Sequence, residues 1–136
     1  MPNAFVDSNI LIYAADESTP ADRKTRIARE VLRQRNLHLS VQVLSEFTVN
    51  ARSKAKLNLS LEQEREWLNG WLLFPVAALT VETFLAATLI YARYQISHWD
   101  SLIIASAREA RCDLVYSEDL NHGQDFDGVK VINPFV

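Results

Sequence analysis

The feature that most constrains the fold is the alternation of short apolar runs with longer segments whose apolar residues recur at helical spacing. This rhythm is typical of a parallel β-sheet covered by helices, because parallel strands need long crossover connections. The expected strands are residues 4–6, 37–41, 74–79, 114–116 and 129–132. The expected helices are residues 8–15, 20–35, 42–54, 60–73, 80–95 and 100–111.

Signals at the helix ends support this division. Ser60 followed by Gln63 predicts a capping box. Thr19 is a candidate N-cap for a helix that starts at Pro20, a residue favoured at the first helical position. Helix 100–111 is apolar nearly all round, so we expect it to be central in the fold.

Composition indicates an ordinary folded chain. The 136 residues are 49% hydrophobic and 23% charged, which suits a single domain spanning residues 1–136. One cysteine, Cys112, excludes an internal disulfide and a cysteine zinc cluster. The net charge of -3 argues against nonspecific coating of nucleic acid, but it allows an enzyme whose acids surround metal ions.

No targeting or membrane segment is expected. The N-terminus lacks a basic region, and the apolar stretch 10–15 is too short for a signal peptide. The most apolar long stretch, 84–91, is well short of the roughly 20 residues that span a bilayer. We therefore expect a cytoplasmic protein that makes no use of a membrane.

Four acidic residues stand where a functional site is expected. Asp7 and Asp119 follow predicted strands, at the sheet edge where α/β proteins bind ligands. Asp100 opens a predicted helix, whose dipole favours a charged carboxylate. Glu46 lies at the border of the buried helical face, where its side chain can reach a cleft.

Each acid also has an ordinary structural explanation. Asp7 could cap the first helix, and Asp100 could belong to a capping arrangement with Ser97. Asp119 could serve a turn, and Glu46 could be solvated. The combination of four acids at the ends of four elements favours a common site.

Four clustered carboxylates need a cation, because they otherwise repel one another and raise their own pKa values. Oxygen ligands suit Mg²⁺ or Mn²⁺, and two such ions could activate water and stabilise the leaving oxygen in phosphodiester hydrolysis. His38, His98 and His122 lack metal-ligand spacing and are interpreted as solvated or structural.

Five segments resemble the PIN domains, and among them the VapC-type toxins of bacterial toxin–antitoxin pairs. They are FVDSNILIY at 5–13, VLSEF at 43–47, DSLIIASA at 100–107, YSEDL at 116–120, and NHGQ with VINPF at 121–124 and 131–135. Each motif alone is weak, but their order and spacing span essentially the whole chain.

The resemblance implies a three-layer α/β/α sandwich with a five-stranded parallel sheet in the order 3-2-1-4-5. It also implies Mg²⁺- or Mn²⁺-dependent RNA cleavage, a cognate antitoxin and a homodimer. The implied metal ligands and catalytic residues are Asp7, Glu46, Asp100 and Asp119. Asn9 and Ser117 would support the site, and the acids whose contribution stays open are Glu118, Asp125 and Asp127.

Other functions fit the sequence less well. A haloacid-dehalogenase-like phosphatase would need an aspartate where Asn9 stands, and a receiver domain would need paired acids on the first strand and a lysine after the last. A PIN-like binding module without catalysis is disfavoured by the intact acidic quartet. A housekeeping RNA-processing nuclease remains an alternative to a toxin.

Basic and aromatic residues suggest further surfaces. The candidates for contact with RNA phosphates are Arg52, Lys54 and Lys56, which follow the helix bearing Glu46. The stripe of Arg26, Arg29 and Arg33 is interpreted as a solvated helix face, and Glu64 as an isolated surface acid. Trp71 is expected in the core, whereas Trp67 is either core or part of a groove for an antitoxin helix.

Overall fold

The computed structural model describes residues 2–136, which form six strands and six helices. The strands are β1 (Ala4–Val6), β2 (Leu37–Ser40), β3 (Val76–Ala77), β4 (Leu114–Tyr116), β5 (Asp125–Phe126) and β6 (Val129–Ile132). The helices are α1 (Ser8–Ala14), α2 (Arg23–Val31), α3 (Val41–Arg52), α4 (Leu61–Trp71), α5 (Val81–Tyr94) and α6 (His98–Glu109).

The sheet has the order β3-β2-β1-β4-β6-β5. Its first five members are parallel, and this confirms the predicted order of five parallel strands. The sequence analysis missed β5, a two-residue strand that pairs antiparallel with β6. The turn that joins them is Asp127-Gly128, a dipeptide that favours tight hairpins because both residues adopt positive φ, here 54° and 103°.

The core lies between the sheet and two groups of helices. Helices α1 to α4 pack with one another, whereas α5 packs against α6, and α6 contacts β4 and β6. All three residues of β1 are fully buried, as is the run from Ser101 to Ala107 in α6. The expected central position of this helix is confirmed. Trp71 is 5% exposed, so its place in the core is confirmed as well.

Two predicted helix starts are wrong. Helix α2 begins at Arg23 after the cap Asp22, whose side chain accepts from the amide of Lys24, so Thr19 is not the cap. Helix α6 begins at His98 after the cap Ser97, which places Asp100 inside the first turn. The capping box of Ser60 with Gln63 at the start of α4 is confirmed.

Within residues 2–136, none of the helices combines the length and the apolar character that crossing a bilayer requires.

Candidate metal centre

Asp7 stands directly after the central strand β1 and caps α1. Its side chain is buried, with 3% of the residue exposed. One carboxylate oxygen accepts from the Ser8 amide at 2.7 Å, and the other accepts from the Ser117 hydroxyl at 2.7 Å. The expected helix cap is therefore present, and the same carboxylate also faces the end of β4.

Asn9 joins the acids of β1 and β4. Its Nδ2 donates to Asp7 Oδ2 at 3.3 Å and to Asp119 Oδ2 at 3.1 Å. Its Oδ1 accepts from the Glu118 amide at 3.2 Å. Ser117 is fully buried, and its hydroxyl accepts from the Asp119 amide at 3.1 Å while it donates to Asp7. The neutral residues Asn9 and Ser117 thus hold the two acids at neighbouring positions.

Glu46 and Asp100 approach the same region from two helices. Glu46 is half-buried on α3, and Asp100 is half-buried in the first turn of α6. A cavity of about 470 Å³ opens between α1, α3 and the end of β4, with Asn9, Glu46 and Asp119 in its walls. We call this cavity the acidic cleft.

The pKa values of Asp7, Glu46 and Asp100 are raised, in part by the charges of neighbouring acids. Burial raises the pKa of Asp7 to about 7, and the charges of Glu46 and Asp119 add to this rise. Burial also raises the pKa of Glu46, with further contributions from Asp100 and Asp119, although Ser8 and Gln42 partly oppose the rise. The pKa of Asp100 rises mainly through burial and also through Asp119. The protein places the acids where ionising all of them is unfavourable without a cation.

The donor set fits a hard divalent cation. Every candidate ligand is a carboxylate oxygen, which suits Mg²⁺ or Mn²⁺. None of the ion pairs found in residues 2–136 involves any of the four acids. In the same part of the chain, no three His, Cys, Asp or Glu side chains converge on one ion position. Glu46 and Asp119 line the acidic cleft, and the described residues do not form a closed metal cage around it.

The three acids left open by the sequence are engaged elsewhere. Glu118 forms an ion pair with Lys24 and accepts from the Tyr13 hydroxyl at 2.7 Å. Lys24 donates to Glu118, which lowers the pKa of this carboxyl against the effect of burial. Asp127 pairs with Arg93 at 3.2 Å, and Asp125 accepts from the Gly128 amide at 2.6 Å in the β5–β6 hairpin.

The basic residues at and after the end of α3 differ in whether they are free to contact RNA. Arg52 donates to both carboxylate oxygens of Glu64, at 2.7 and 3.1 Å, and thereby links α3 to α4. Glu64 is only 6% exposed, so its interpretation as an isolated surface acid is wrong. Lys54 is exposed, and Lys56 lines a cavity of about 300 Å³ together with Asn9 and Glu118.

One member of the arginine stripe is not solvated. The Arg29 Nε donates to the Ala14 carbonyl at 2.9 Å, and its guanidinium lies 5.9 Å from the Trp67 ring centroid. Trp67 stacks on Trp71 with ring centroids 5.4 Å apart and is partly buried. Arg26 and Arg33 are exposed, as expected.

The sequence analysis missed two residues that border the site. Gln42 is 6% exposed, and its Nε2 donates to the Trp99 carbonyl at 3.2 Å, which ties α3 to α6. It precedes Glu46 by four residues, a spacing that puts both side chains on one helix face and that was available as a signal. Ser8 donates its amide to Asp7 and borders the acidic cleft.

Comparison with known proteins identifies the family. The family model described as PIN domain matches residues 4–125. The chain belongs to the PIN domain family. No curated protein sequence matches it.

Solved structures share the fold of this PIN domain. A toxin–antitoxin complex from Klebsiella pneumoniae aligns with a TM-score of 0.70 at 21% identity, covering 97% of this chain and 98% of the other. VapC20 from Mycobacterium tuberculosis, described as a sarcin-ricin loop cleaving toxin, gives 0.68 at 16% identity over 86% and 90% of the two chains. DNA-bound VapBC from Salmonella typhimurium gives 0.65 at 19% identity over 96% and 97%.

Proposed function

We propose that this PIN domain is a metal-dependent endoribonuclease and the toxin of a VapBC-type pair. The observation that carries the proposal is the acidic cleft. Glu46 and Asp119 line it, and Asn9 and Ser117 link Asp7 to Asp119. Burial, together with the charges of neighbouring acids, raises the pKa values of Asp7, Glu46 and Asp100.

The family and its structural relatives support this proposal. PIN domains are generally nucleases that use divalent metals. The similar structures include a toxin described as cleaving the sarcin-ricin loop and two toxin–antitoxin assemblies. The substrate that we infer is accordingly RNA, cut at an internal phosphodiester bond by water.

In the proposed site the four carboxylates would hold Mg²⁺ or Mn²⁺. When bound, such an ion lowers the pKa of water and stabilises the negative charge that develops on the phosphate oxygens. Asn9 and Ser117 keep Asp7 and Asp119 in place through the hydrogen bonds described above. Lys56 lies beside Asn9, where its ammonium group can contact a phosphate that flanks the cut.

Cleavage of structured RNA tests the proposal. Wild-type protein should cleave with Mg²⁺ or Mn²⁺ and stop when EDTA is added. Asp7→Asn and Asp100→Asn should each lower the rate by at least about 100-fold, because each removes a negative charge that would hold the metal. The fold should survive, because the amide has the same shape as the carboxylate and leaves no cavity. Glu66→Gln, at an exposed position of α4, is the matched control and should cleave normally. Undiminished cleavage by both aspartate variants would reject the assignment of the metal ligands.

The expected partners are part of the same proposal. We infer a cognate antitoxin whose arginine or lysine enters the acidic cleft and replaces the metal charge, and a homodimeric toxin in the cytoplasm. A housekeeping nuclease would also cleave RNA, but its expression alone would not arrest growth. A binding module without catalysis would bind RNA or protein yet fail the cleavage assay.

A further inference from the structure

A second cavity adjoins the acidic cleft and has a different character. It measures about 380 Å³ and shares two wall residues, Ser45 and Glu46, with the cleft. Its remaining lining is mostly apolar and consists of Val41, Gln42, Leu79 and Trp99. We call this cavity the tryptophan pocket. Because Ser45 and Glu46 line both cavities, the pocket lies directly beside the acidic cleft.

Trp99 presents a fixed aromatic surface there. It is 60% exposed and neighbours Asp100, which in turn precedes the buried stretch of α6. The His98 ring packs edge-on against it with centroids 5.2 Å apart, and Phe84 packs against His98 at 5.7 Å. Its backbone carbonyl is held by the Gln42 amide at 3.2 Å. The indole is therefore supported by its neighbours while much of its surface faces solvent.

The pocket lining selects against anions. Val41 and Leu79 are nearly half-exposed aliphatic residues, and the charged group in the lining is the carboxylate of Glu46. A phosphate would be repelled by this carboxylate, whereas a flat neutral ring would gain apolar contact and stacking. The Ser45 hydroxyl already donates to the Val41 carbonyl at 2.9 Å, so it does not offer its proton to a ligand.

We propose that the tryptophan pocket binds a nucleobase of single-stranded RNA next to the scissile phosphate, with the base stacked on Trp99. The inference rests on the proposed nuclease function, because the metal centre places the phosphate in the acidic cleft. Aromatic side chains commonly hold unpaired bases in this way, and stacking tolerates any base because every base has a π-face. The scarcity of hydrogen-bond donors in the pocket indicates affinity for bases without strict choice among them.

Tryptophan fluorescence tests this assignment directly. Oligo(A) is titrated into the Asp7→Asn protein, which is expected not to cleave it, and emission is followed. We expect quenching that disappears in Trp99→Phe but persists in Trp67→Phe. An abasic oligonucleotide of equal length should bind more weakly and cause no quenching, because it offers phosphates without bases.

Affinity measurements give the contribution of Trp99 to the binding of oligo(A). Trp99→Ala should weaken binding of oligo(A) about 5- to 150-fold, which corresponds to the roughly 1–3 kcal/mol of base stacking at 1.4 kcal/mol per tenfold. Trp99→Leu, which keeps an apolar side chain without an aromatic face, should weaken binding similarly and covers the case in which the alanine variant does not fold. Tyr91→Ala, at a half-exposed aromatic on α5, is the matched control and should bind normally.

The outcomes separate this inference from the nuclease proposal. Normal binding by folded Trp99→Leu would overturn the pocket assignment even if wild type cleaves RNA. Quenching of Trp99 in a protein that shows no metal-dependent cleavage would support the base pocket and reject the nuclease. Quenching by an antitoxin peptide but not by oligo(A) would make the pocket a protein-binding site and overturn the assignment.

Discussion

At the scale of single residues, Asp7 caps α1, and the proposed metal centre would give it a second role that the sequence presents as an alternative. Its carboxylate accepts from the Ser8 amide at the start of α1, and it is the most buried of the four candidate acids. A cap satisfies an amide at the helix terminus, and a metal ligand needs an ionised oxygen facing the site. Because a carboxylate has two oxygens, Asp7 directs one to the helix and the other to Ser117 and Asn9.

The buried charge of Asp7 should make the stability of the metal-free protein depend on pH. Its pKa rises from 3.8 to about 7 on folding, so the folded state binds more protons between these values. The free energy of unfolding therefore falls as pH increases from about 4 to about 7. Asp7→Asn removes this titration and should gain stability over wild type above pH 7, by up to about 4 kcal/mol at 1.36 kcal/mol per pKa unit. Urea denaturation in EDTA measures the difference.

Asp22→Asn is the control for Asp7→Asn. Asp22 caps α2 at an exposed position, and asparagine is an equally good cap. The control should change stability by less than about 0.5 kcal/mol. If Asp7→Asn were instead equally destabilised at every pH, burial of its charge would not be the main effect.

At the scale of elements, the ion pair of Arg52 with Glu64 fastens α3 to α4. Glu64 is nearly buried, whereas the Arg52 side chain is 61% exposed, so solvent screening limits the contribution. Glu64→Gln should lower stability by about 1 kcal/mol near pH 7. Arg52 holds the pKa of Glu64 below its ordinary value, so this stabilisation is present at neutral pH and is lost as pH falls through the lowered pKa.

Urea denaturation measured as a function of pH distinguishes the Arg52–Glu64 ion pair from ordinary surface charge. Glu62 lies on the same helix at an exposed position, so Glu62→Gln should change stability by less than about 0.5 kcal/mol. A loss in Glu64→Gln that persists unchanged at pH 3 would indicate a packing defect rather than a broken ion pair.

Substitution by alanine should change the stability of the protein in opposite directions at two glycines. Gly128 has a φ of 103° in the β5–β6 turn, where a side chain is strained, so Gly128→Ala should cost about 1 kcal/mol or more. Gly70 lies in α4 with open space around its α-carbon, so Gly70→Ala should gain about 0.5–1 kcal/mol. Thermal unfolding of both variants measures the two signs, and a gain in Gly128→Ala would contradict the hairpin.

At the scale of the whole molecule, cation binding should couple to folding. A cation that binds the folded cleft offsets the repulsion among its carboxylates, so Mn²⁺ should raise the melting temperature. At about 100 times the dissociation constant the gain is roughly 2.7 kcal/mol, or roughly 10 °C for a domain of this size. Asp7→Asn should flatten the response, whereas Glu66→Gln should retain it. An unmoved wild-type melting curve at millimolar Mn²⁺ would reject the metal centre.

The sequence by itself determined the six helices and the order of the five parallel strands, but not the short strand β5. Strands 4–6, 114–116 and 129–132 were predicted with their observed bounds, because short buried runs and their flanking polar residues are local signals. The four candidate acids were predicted for a similar reason. The carboxyl ends of parallel strands and the starts of the following helices meet at one edge of a sheet, so the order of elements predicts which side chains share that edge.

Only the tertiary structure decided which side chains contact each other across the chain. Lys24 reaches Glu118 across 94 positions of the chain, and Asn9 joins Asp119 across 110, so no local pattern predicts either contact. The engagement of Arg52 by Glu64 and the exposure of Trp99 likewise depend on how neighbouring helices pack. Periodicity reports which face of an element is buried, whereas hydrogen bonds and pockets depend on distances between elements that are remote in sequence.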